Sequence, residues 1–302
     1  MRARRSCLSV PGSSPGMLAK ASGLPADEVV IDLEDAVAAS AKDEARADVV
    51  SALAGGRLGG RTVAVRINGL DTPWCHRDIV ALADGPAAGA VTSLVIPKVR
   101  APEDIAWVAR LLDVIGAGGR AIRLQALIET AAGLRRAGDI AQAGPRLEAL
   151  ILGYADLRAS LGRPGGAEEL PDRWSFAQET VLVAARAAGL QAIDGPHLLV
   201  GDTTGLRAWA AYVRALGYDG KWAIHPSQLD TLNATFSPTP EEVERARAVV
   251  AALAEAEADG GRGAVMLEGE MIDEALRKQA LQVVARARAA ELPSALARRA
   301  GA

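Results

Sequence analysis

Short apolar runs recur along the first three quarters of the chain, separated by longer stretches in which apolar and polar positions follow a helical period. The runs are Cys7–Val10, Val29–Leu33, Thr62–Ile67, Ser93–Ile96, Arg123–Ile128, Leu147–Leu152, Leu190–Ile193 and Trp222–Ile224. Most are rich in Val, Ile and Leu and lack polar alternation, which predicts strands covered on both faces. Helices are predicted between them over 15–23, 40–54, 73–84, 102–116, 130–143, 172–188 and 204–216. Eight strand–helix repeats within about 225 residues predict an α/β fold of the (β/α)8 TIM-barrel type. A doubly wound sheet is the main alternative, but no Gly-x-Gly-x-x-Gly follows the first strand, which weakens its nucleotide-binding form.

Beyond His225-Pro226 the pattern changes. A barrel domain is expected over 1–235 and a C-terminal cap over 236–302. Thr239 is placed to cap a helix over 241–258 that carries acidic residues in its first turn. The glycines at 260, 261 and 263 predict a break, Val265–Asp273 follows, and a last helix runs from about Glu274 to Ala290. This tail is too short for an independent core and is expected to pack on the barrel or on a neighbouring subunit. Leu161–Pro171, rich in Gly and charge, is the best candidate for a rim loop.

Composition narrows the class. Half of the 302 residues are hydrophobic but only 3% are aromatic, so the core must be built mainly from Ala, Val and Leu. A net charge of -3 gives no electrostatic footprint for nucleic acid. The two cysteines, Cys7 and Cys75, provide neither a disulfide framework nor a metal cluster. The basic N-terminus leads into an apolar run that Pro11-Gly12 interrupts, so no secretory segment is expected. No apolar stretch approaches a membrane span. A cytoplasmic protein is the expectation.

The candidate chemistry lies where the runs end. Glu129 and Asp156 follow neighbouring runs about one strand–helix repeat apart, so parallel strands deliver both carboxylates to one rim of the sheet. Mg2+ takes one or two protein carboxylates and completes its shell with substrate and water, which makes the pair half of an open metal site. For either residue alone, a helix cap or loop-facing charge is the commoner role. The other runs also close on polar residues, among them Asp32, Glu34, Asp35, Arg66, Lys98, Asp194 and His225. Arg66 can hold a carboxylate or an enolate oxygen, or simply pair with Glu34 or Asp35. Asp32, Glu34 and Asp35 can support metal waters, or pair with Lys42 or Arg46. Lys98 is most simply a solvated lysine, with phosphate binding as the other option. His225 is expected to be structural, and His76 and His197 have no supporting context. The Gly12-Ser13-Ser14 turn is weak evidence for phosphate binding.

With these residues assembled, the chain resembles the HpcH/HpaI aldolase and citrate lyase β-subunit family, and within it the stand-alone CoA-ester lyases. The stretches that carry the likeness are Arg5-Ser-Cys-Leu-Ser-Val-Pro-Gly-Ser13, Val30-Ile-Asp-Leu-Glu-Asp-Ala-Val37, Val65-Arg-Ile-Asn68, Ile96-Pro-Lys98, Leu127-Ile-Glu-Thr130, Gly153-Tyr-Ala-Asp-Leu157 and Lys221-Trp-Ala-Ile-His-Pro-Ser-Gln228. The resemblance implies a barrel that binds Mg2+, or Mn2+ in its place, through Glu129 and Asp156, with Arg66 in the substrate site. It also implies a homotrimer or homohexamer.

Glu268-Gly-Glu-Met-Ile-Asp273 is similar to a tail segment of malyl-CoA and citramalyl-CoA lyases, in which the Asp reaches a neighbouring subunit's site. Asp273 is carried over on that likeness as the catalytic acid/base; it is equally suited to cap the last helix. The implied reaction is reversible cleavage of a 3-hydroxy-3-carboxyacyl-CoA to acetyl-CoA and a 2-oxoacid. Backbone amides around Gly153, Tyr154 and Ala155 are expected to hold the substrate carboxylate. Tyr154-Ala155 departs from the family's usual residues and is expected to reshape the acyl pocket. A malyl-CoA thioesterase or malate-synthase-like activity, a citrate-lyase-type subunit working on an acyl-carrier partner, and a CoA-free 2-oxoacid aldolase are the alternatives.

Overall fold

A computed structural model describes residues 2–60, 62–164, 171–259, 261 and 263–300. Eight strands form a closed parallel barrel: β1 (Ser6–Pro11), β2 (Glu28–Asp32), β3 (Thr62–Arg66), β4 (Ser93–Ile96), β5 (Arg123–Ile128), β6 (Leu147–Leu152), β7 (Gln191–Asp194) and β8 (Gly220–Ala223). Each strand pairs with the next in sequence, and β8 pairs back onto β1 through Cys7 and Trp222. That closure excludes the doubly wound alternative. The lack of polar alternation now has its reason. Residues such as Cys7, Val30, Ala64, Val95 and Ile193 fill the barrel interior. Their neighbours Leu8, Val29, Val65 and Leu94 face the helical layer.

The helices of the first unit are α1 (Pro15–Ala21), α2 (Lys42–Ala54), α3 (Cys75–Ala83), α4 (Pro102–Ile115), α5 (Ala117–Ala121), α6 (Ala131–Arg135), α7 (Ala137–Ala141), α8 (Tyr154–Ser160), α9 (Ser175–Ala187), α10 (Thr203–Leu216) and α11 (Leu229–Phe236). The helix predicted over 130–143 is two short pieces, because Arg136 leaves the helical region at φ -107, ψ 18. α11 follows the last strand as the eighth helical layer should, with Leu229, Leu232 and Phe236 buried. Of the rim loop expected over Leu161–Pro171, residues 165–170 lie outside the described residues, as do 260 and 262 of the predicted glycine break.

The bottom of the barrel is closed by buried polar groups. Arg4 donates to Glu28 at 3.0 Å and also to Gln191 and Glu148. Gln125 donates to Glu28 at 3.0 Å and to Ser93 at 2.8 Å. Burial alone would favour a neutral Arg4, but Glu28 and Glu148 outweigh it and keep the guanidinium charged.

The chain divides into two compact units, Arg4–Phe236 and a second made of the described residues from Ser237 onward together with those before Arg4. The second holds α12 (Pro240–Ala258), a two-stranded antiparallel sheet of β9 (Ala264–Leu267) and β10 (Glu270–Asp273), and α13 (Glu274–Ala300). Thr239 caps α12 as expected, in a reciprocal pair with Glu242. Glu268 and Gly269 both take positive φ, 51° and 85°, the two-residue turn that joins tightly paired strands. The tail was expected to have no core of its own, yet Ala246, Val249, Leu253, Ile272 and Ala280 gather into an apolar cluster.

Candidate active site at the barrel rim

The C-terminal ends of the strands place Asp35, Arg66, Glu129 and Asp156 around one pocket. Glu129 directly follows β5, and its carboxylate accepts from the Lys98 backbone amide at 2.8 Å. Asp156 lies in the first turn of α8, just past β6. Both line the pocket together with Asp35, Arg66 and residues Gly153, Tyr154 and Ala155, while Leu127, Ile151 and Trp222 supply apolar walls. A Cβ at Gly153 would stand 2.6 Å from Glu129 Oε2, so only glycine lets the chain pass this carboxylate.

Arg66 closes β3 and makes a fork on Asp32, with Nε–Oδ1 2.8 Å and Nη2–Oδ2 2.5 Å. Its other branch stands 3.0 Å from Glu34 and 3.7 Å from Asp35. Arg66 is therefore both ion-paired and pocket-lining. Burial opposes its charge, but Asp32 and Glu34 outweigh burial and hold it protonated. The Asp32 carboxylate also accepts from the Glu34 amide at 2.8 Å and from the Ala36 amide at 3.2 Å, which ties the acidic turn to β2.

Two expectations for this turn need correction. Neither Lys42 nor Arg46 forms a direct ion pair with Asp32, Glu34 or Asp35, although Lys42 feels the charge of all three. Lys42 donates instead to the Leu33 and Glu34 carbonyls at 2.8 and 2.6 Å, and Arg46 is taken by Asp43 and Asp78. Lys98 is not a solvated lysine. Its ammonium lies 2.6 Å from Glu34, 3.4 Å from Asp35 and 3.7 Å from Asp156. Burial lowers its proton affinity, but Glu34, Asp156 and Asp35 more than reverse that. Lys98 also has φ 51°, a left-handed conformation that costs a non-glycine residue on the order of 1 kcal/mol or more. That backbone turns its N–H onto Glu129 while the side chain reaches the acidic turn. Sequence position alone does not reveal this double use, although the Pro97-Lys98 strand end marked the residue.

The result is a surplus of negative charge. Burial first, then Glu34 and Asp156, push the Glu129 carboxyl up to about 8, against the opposing pull of Arg66 and the Lys98 amide. Burial also raises Glu34, only partly countered by Arg66 and Lys98. A buried carboxylate that would rather hold a proton will also hold a cation. Among the described residues no group of three or more His, Cys, Asp or Glu side chains could enclose a metal ion. Two carboxylates opening into a pocket suit Mg2+, which leaves coordination positions to substrate and water.

The remaining predicted residues fall elsewhere. His225 is exposed, and its Nδ1 stands 2.8 Å from the Ser227 hydroxyl, a capping role. His197 is buried against Trp209 and 3.2 Å from Asp202. Asp273 belongs to the second unit, where it ends β10 and accepts from the Ala275 and Leu276 amides at 2.9 and 3.2 Å, capping α13. Asp194 and Lys221 had no assigned role, yet they form a fully buried ion pair beneath the pocket-lining Tyr154.

A closed parallel barrel with clustered acids and one forked arginine at its C-terminal rim is an enzyme scaffold of the TIM-barrel class. Residues 5–226 match the HpcH/HpaI aldolase/citrate lyase family, and the chain belongs to that family and to its lyases. It is 38% identical to an L-malyl-CoA/beta-methylmalyl-CoA lyase of Cereibacter sphaeroides, covering 97% of this chain and 96% of that protein. A (3S)-malyl-CoA thioesterase of the same species is 39% identical over 94% of this chain and 95% of its own length. Among solved structures, CitE from Mycobacterium tuberculosis in complex with magnesium, acetoacetate and coenzyme A is similar with a TM-score of 0.75 and 32% identity. That match covers 94% of this chain and 98% of CitE. No helix among the described residues is long and apolar enough to cross a membrane.

Proposed function

We propose that the protein is a Mg2+-dependent carbon–carbon lyase that reversibly cleaves a 3-hydroxy-3-carboxyacyl-CoA, of the malyl-CoA or citramalyl-CoA kind, to acetyl-CoA and a 2-oxoacid. The observation that carries this reading is the pocket in which Glu129, Asp156 and Arg66 meet, in a chain so similar to a malyl-CoA lyase. Glu129 and Asp156 would hold the ion, with Asp32, Glu34 and Asp35 setting the surrounding charge. A bound Mg2+ supplies Lewis-acid polarisation of the substrate hydroxyl and carboxylate.

The chain's own residues then account for the bond-breaking step. The substrate hydroxyl gives its proton to solvent, its oxygen becomes the carbonyl of the 2-oxoacid as the carbon–carbon bond opens, and the bonding pair passes into a thioester enolate. Arg66, fixed by Asp32, faces the developing oxyanion with a cation that does not deprotonate. Asp273 delivers a proton to the enolate carbon, and removes it in the condensation direction. We assign the protein to the cytoplasm and to a homotrimer or homohexamer in which Asp273 serves a neighbouring subunit's pocket. Mixing Glu129→Ala and Asp273→Asn chains tests that arrangement: mixed oligomers regain activity only if the two residues act across subunits.

The primary test is a Mg2+-dependent cleavage screen over malyl-, methylmalyl-, citramalyl- and citryl-CoA with both products identified. An acyl-CoA (acetyl-CoA, or propanoyl-CoA from methylmalyl-CoA) plus a 2-oxoacid supports the reading. Free CoA with intact hydroxyacid would instead support hydrolysis, the second reading that the thioesterase relative favours. Turnover only on a carrier-bound acyl group would point to a citrate-lyase-type subunit.

A further inference from the structure

Tyr154 is held in the pocket by contacts on every side. It opens α8 two positions before Asp156, is buried, and lines the pocket beside Gly195. Its hydroxyl bonds to the Asp194 carboxylate and accepts from Gln178 Nε2 at 2.9 Å. Asp194 is held in turn by Lys221, whose ammonium is completely buried and also donates to the Gly195 carbonyl. Edge contacts from Trp174 and Trp209, each with ring centroids 5.3 Å away, fix the ring plane. A Cβ at Gly195 would stand 2.8 Å from the Tyr154 ring, so the backbone there is shaped around this side chain. A buried Lys–Asp pair is costly unless its remaining groups are satisfied. Here the tyrosine hydroxyl completes it, and that makes the ring a rigid wall.

We propose that Tyr154 is a specificity-determining residue: its ring, locked by the Lys221–Asp194 pair, limits the substituent carried by the 2-oxoacid portion of the substrate to a methyl group or smaller. The inference rests on the lyase reading for the orientation of that portion. With its oxygens toward Glu129 and Asp156, the substituent meets the apolar walls of the pocket, and of these Tyr154 is the one held by hydrogen bonds as well as by ring contacts. Lys221 and Asp194 act through Tyr154 and are positioning residues.

The test is binding of pyruvate and 2-oxobutanoate to the full-length protein with Mg2+, measured by calorimetry, beside the cleavage screen. The wild-type protein should bind pyruvate at least about tenfold more tightly than 2-oxobutanoate, the discrimination one methylene gives in a fixed pocket. Tyr154→Leu should narrow that ratio to about twofold, whereas Tyr154→Phe, which keeps the ring between Trp174 and Trp209 but releases it from Asp194, should lose only part of the discrimination. If the leucine variant does not fold, Tyr154→Met, with a longer apolar chain against Trp174 and Trp209, takes its place. An unchanged ratio in the shortened variant, an equal loss in Tyr154→Phe, or no discrimination by the wild type overturns the proposal. Discrimination that narrows in Tyr154→Leu, with no cleavage of any CoA ester, would refute the lyase reading and leave only Tyr154's effect on 2-oxoacid binding standing.

Discussion

The two ends of the barrel both carry buried charge, and they treat it in opposite ways. At the bottom, one arginine reaches Glu28 and Glu148 with two glutamines filling the gaps, and its charge is secured by those acids. At the rim, Glu34 and Glu129 remain strained toward protonation although Arg66 and Lys98 are close by. The bottom sets its charge against itself, with Arg4 held between Glu28 and Glu148 and away from any rim residue. The rim keeps more acid than base around an open pocket. Buried charge by itself says little about function, whereas buried charge left in surplus beside a cavity marks a site.

The sharpest way to break this contrast is at Glu129. Glu129→Ala, or removal of divalent metal by a chelator, should lower lyase turnover by roughly 10³-fold or more, with Mg2+ restoring activity only to the wild type. Turnover that survives the chelator would end the metal reading. Asp273→Asn should lower kcat by about 10²–10⁴-fold while calorimetry shows Mg2+ binding unchanged. Near-normal cleavage by that variant would remove Asp273 from its role.

At the other end of the barrel, Arg4→Met should destabilise the fold by about 3–5 kcal/mol in denaturant titration, because it leaves Glu28 buried without its cation. The folded fraction should retain near-normal kcat/KM. Comparable damage to catalysis would mean the bottom is not purely structural.

The smallest effect is pH linkage at the rim. The metal-free folded state holds a proton on Glu129 up to about 8, whereas the ordinary value for glutamate is 4.5. In that window the folded state binds more protons than the unfolded one, so Glu129 makes stability fall as pH rises from 4.5 toward 8. Mg2+ must displace the same proton, so its affinity should weaken by up to about tenfold per unit as pH drops below 8. Thermal melts and calorimetry with and without Mg2+ at pH 6 and 8 measure both trends. Mg2+ affinity independent of pH would show that Glu129 is not a ligand.

Much of the fold was legible because strands covered on both faces leave uninterrupted apolar runs. Ser93–Ile96, Arg123–Ile128 and Leu147–Leu152 coincide with β4, β5 and β6 residue for residue. The small sheet of the second unit gave no such signal. Met266 and Met271 face each other across it and are both exposed, so hydrophobicity there does not report burial. Glu129, Asp156 and Arg66 were visible as polar residues closing apolar strands. Lys98 was misjudged because its partners come from two other strand ends, a convergence that no local pattern encodes.

Local order along the chain determined the eight strands, their sequence around the barrel and the rim to which each polar terminus belongs, because burial on two faces and helical periodicity are short-range properties. Tertiary structure alone decided which charges cancel. The Asp32–Arg66 fork, the Lys98 bridge to Glu34 and the Lys221–Asp194–Tyr154 lock each join separate strand–helix repeats. Electrostatic energy depends on distance through space and on desolvation, and neither quantity exists until the barrel closes.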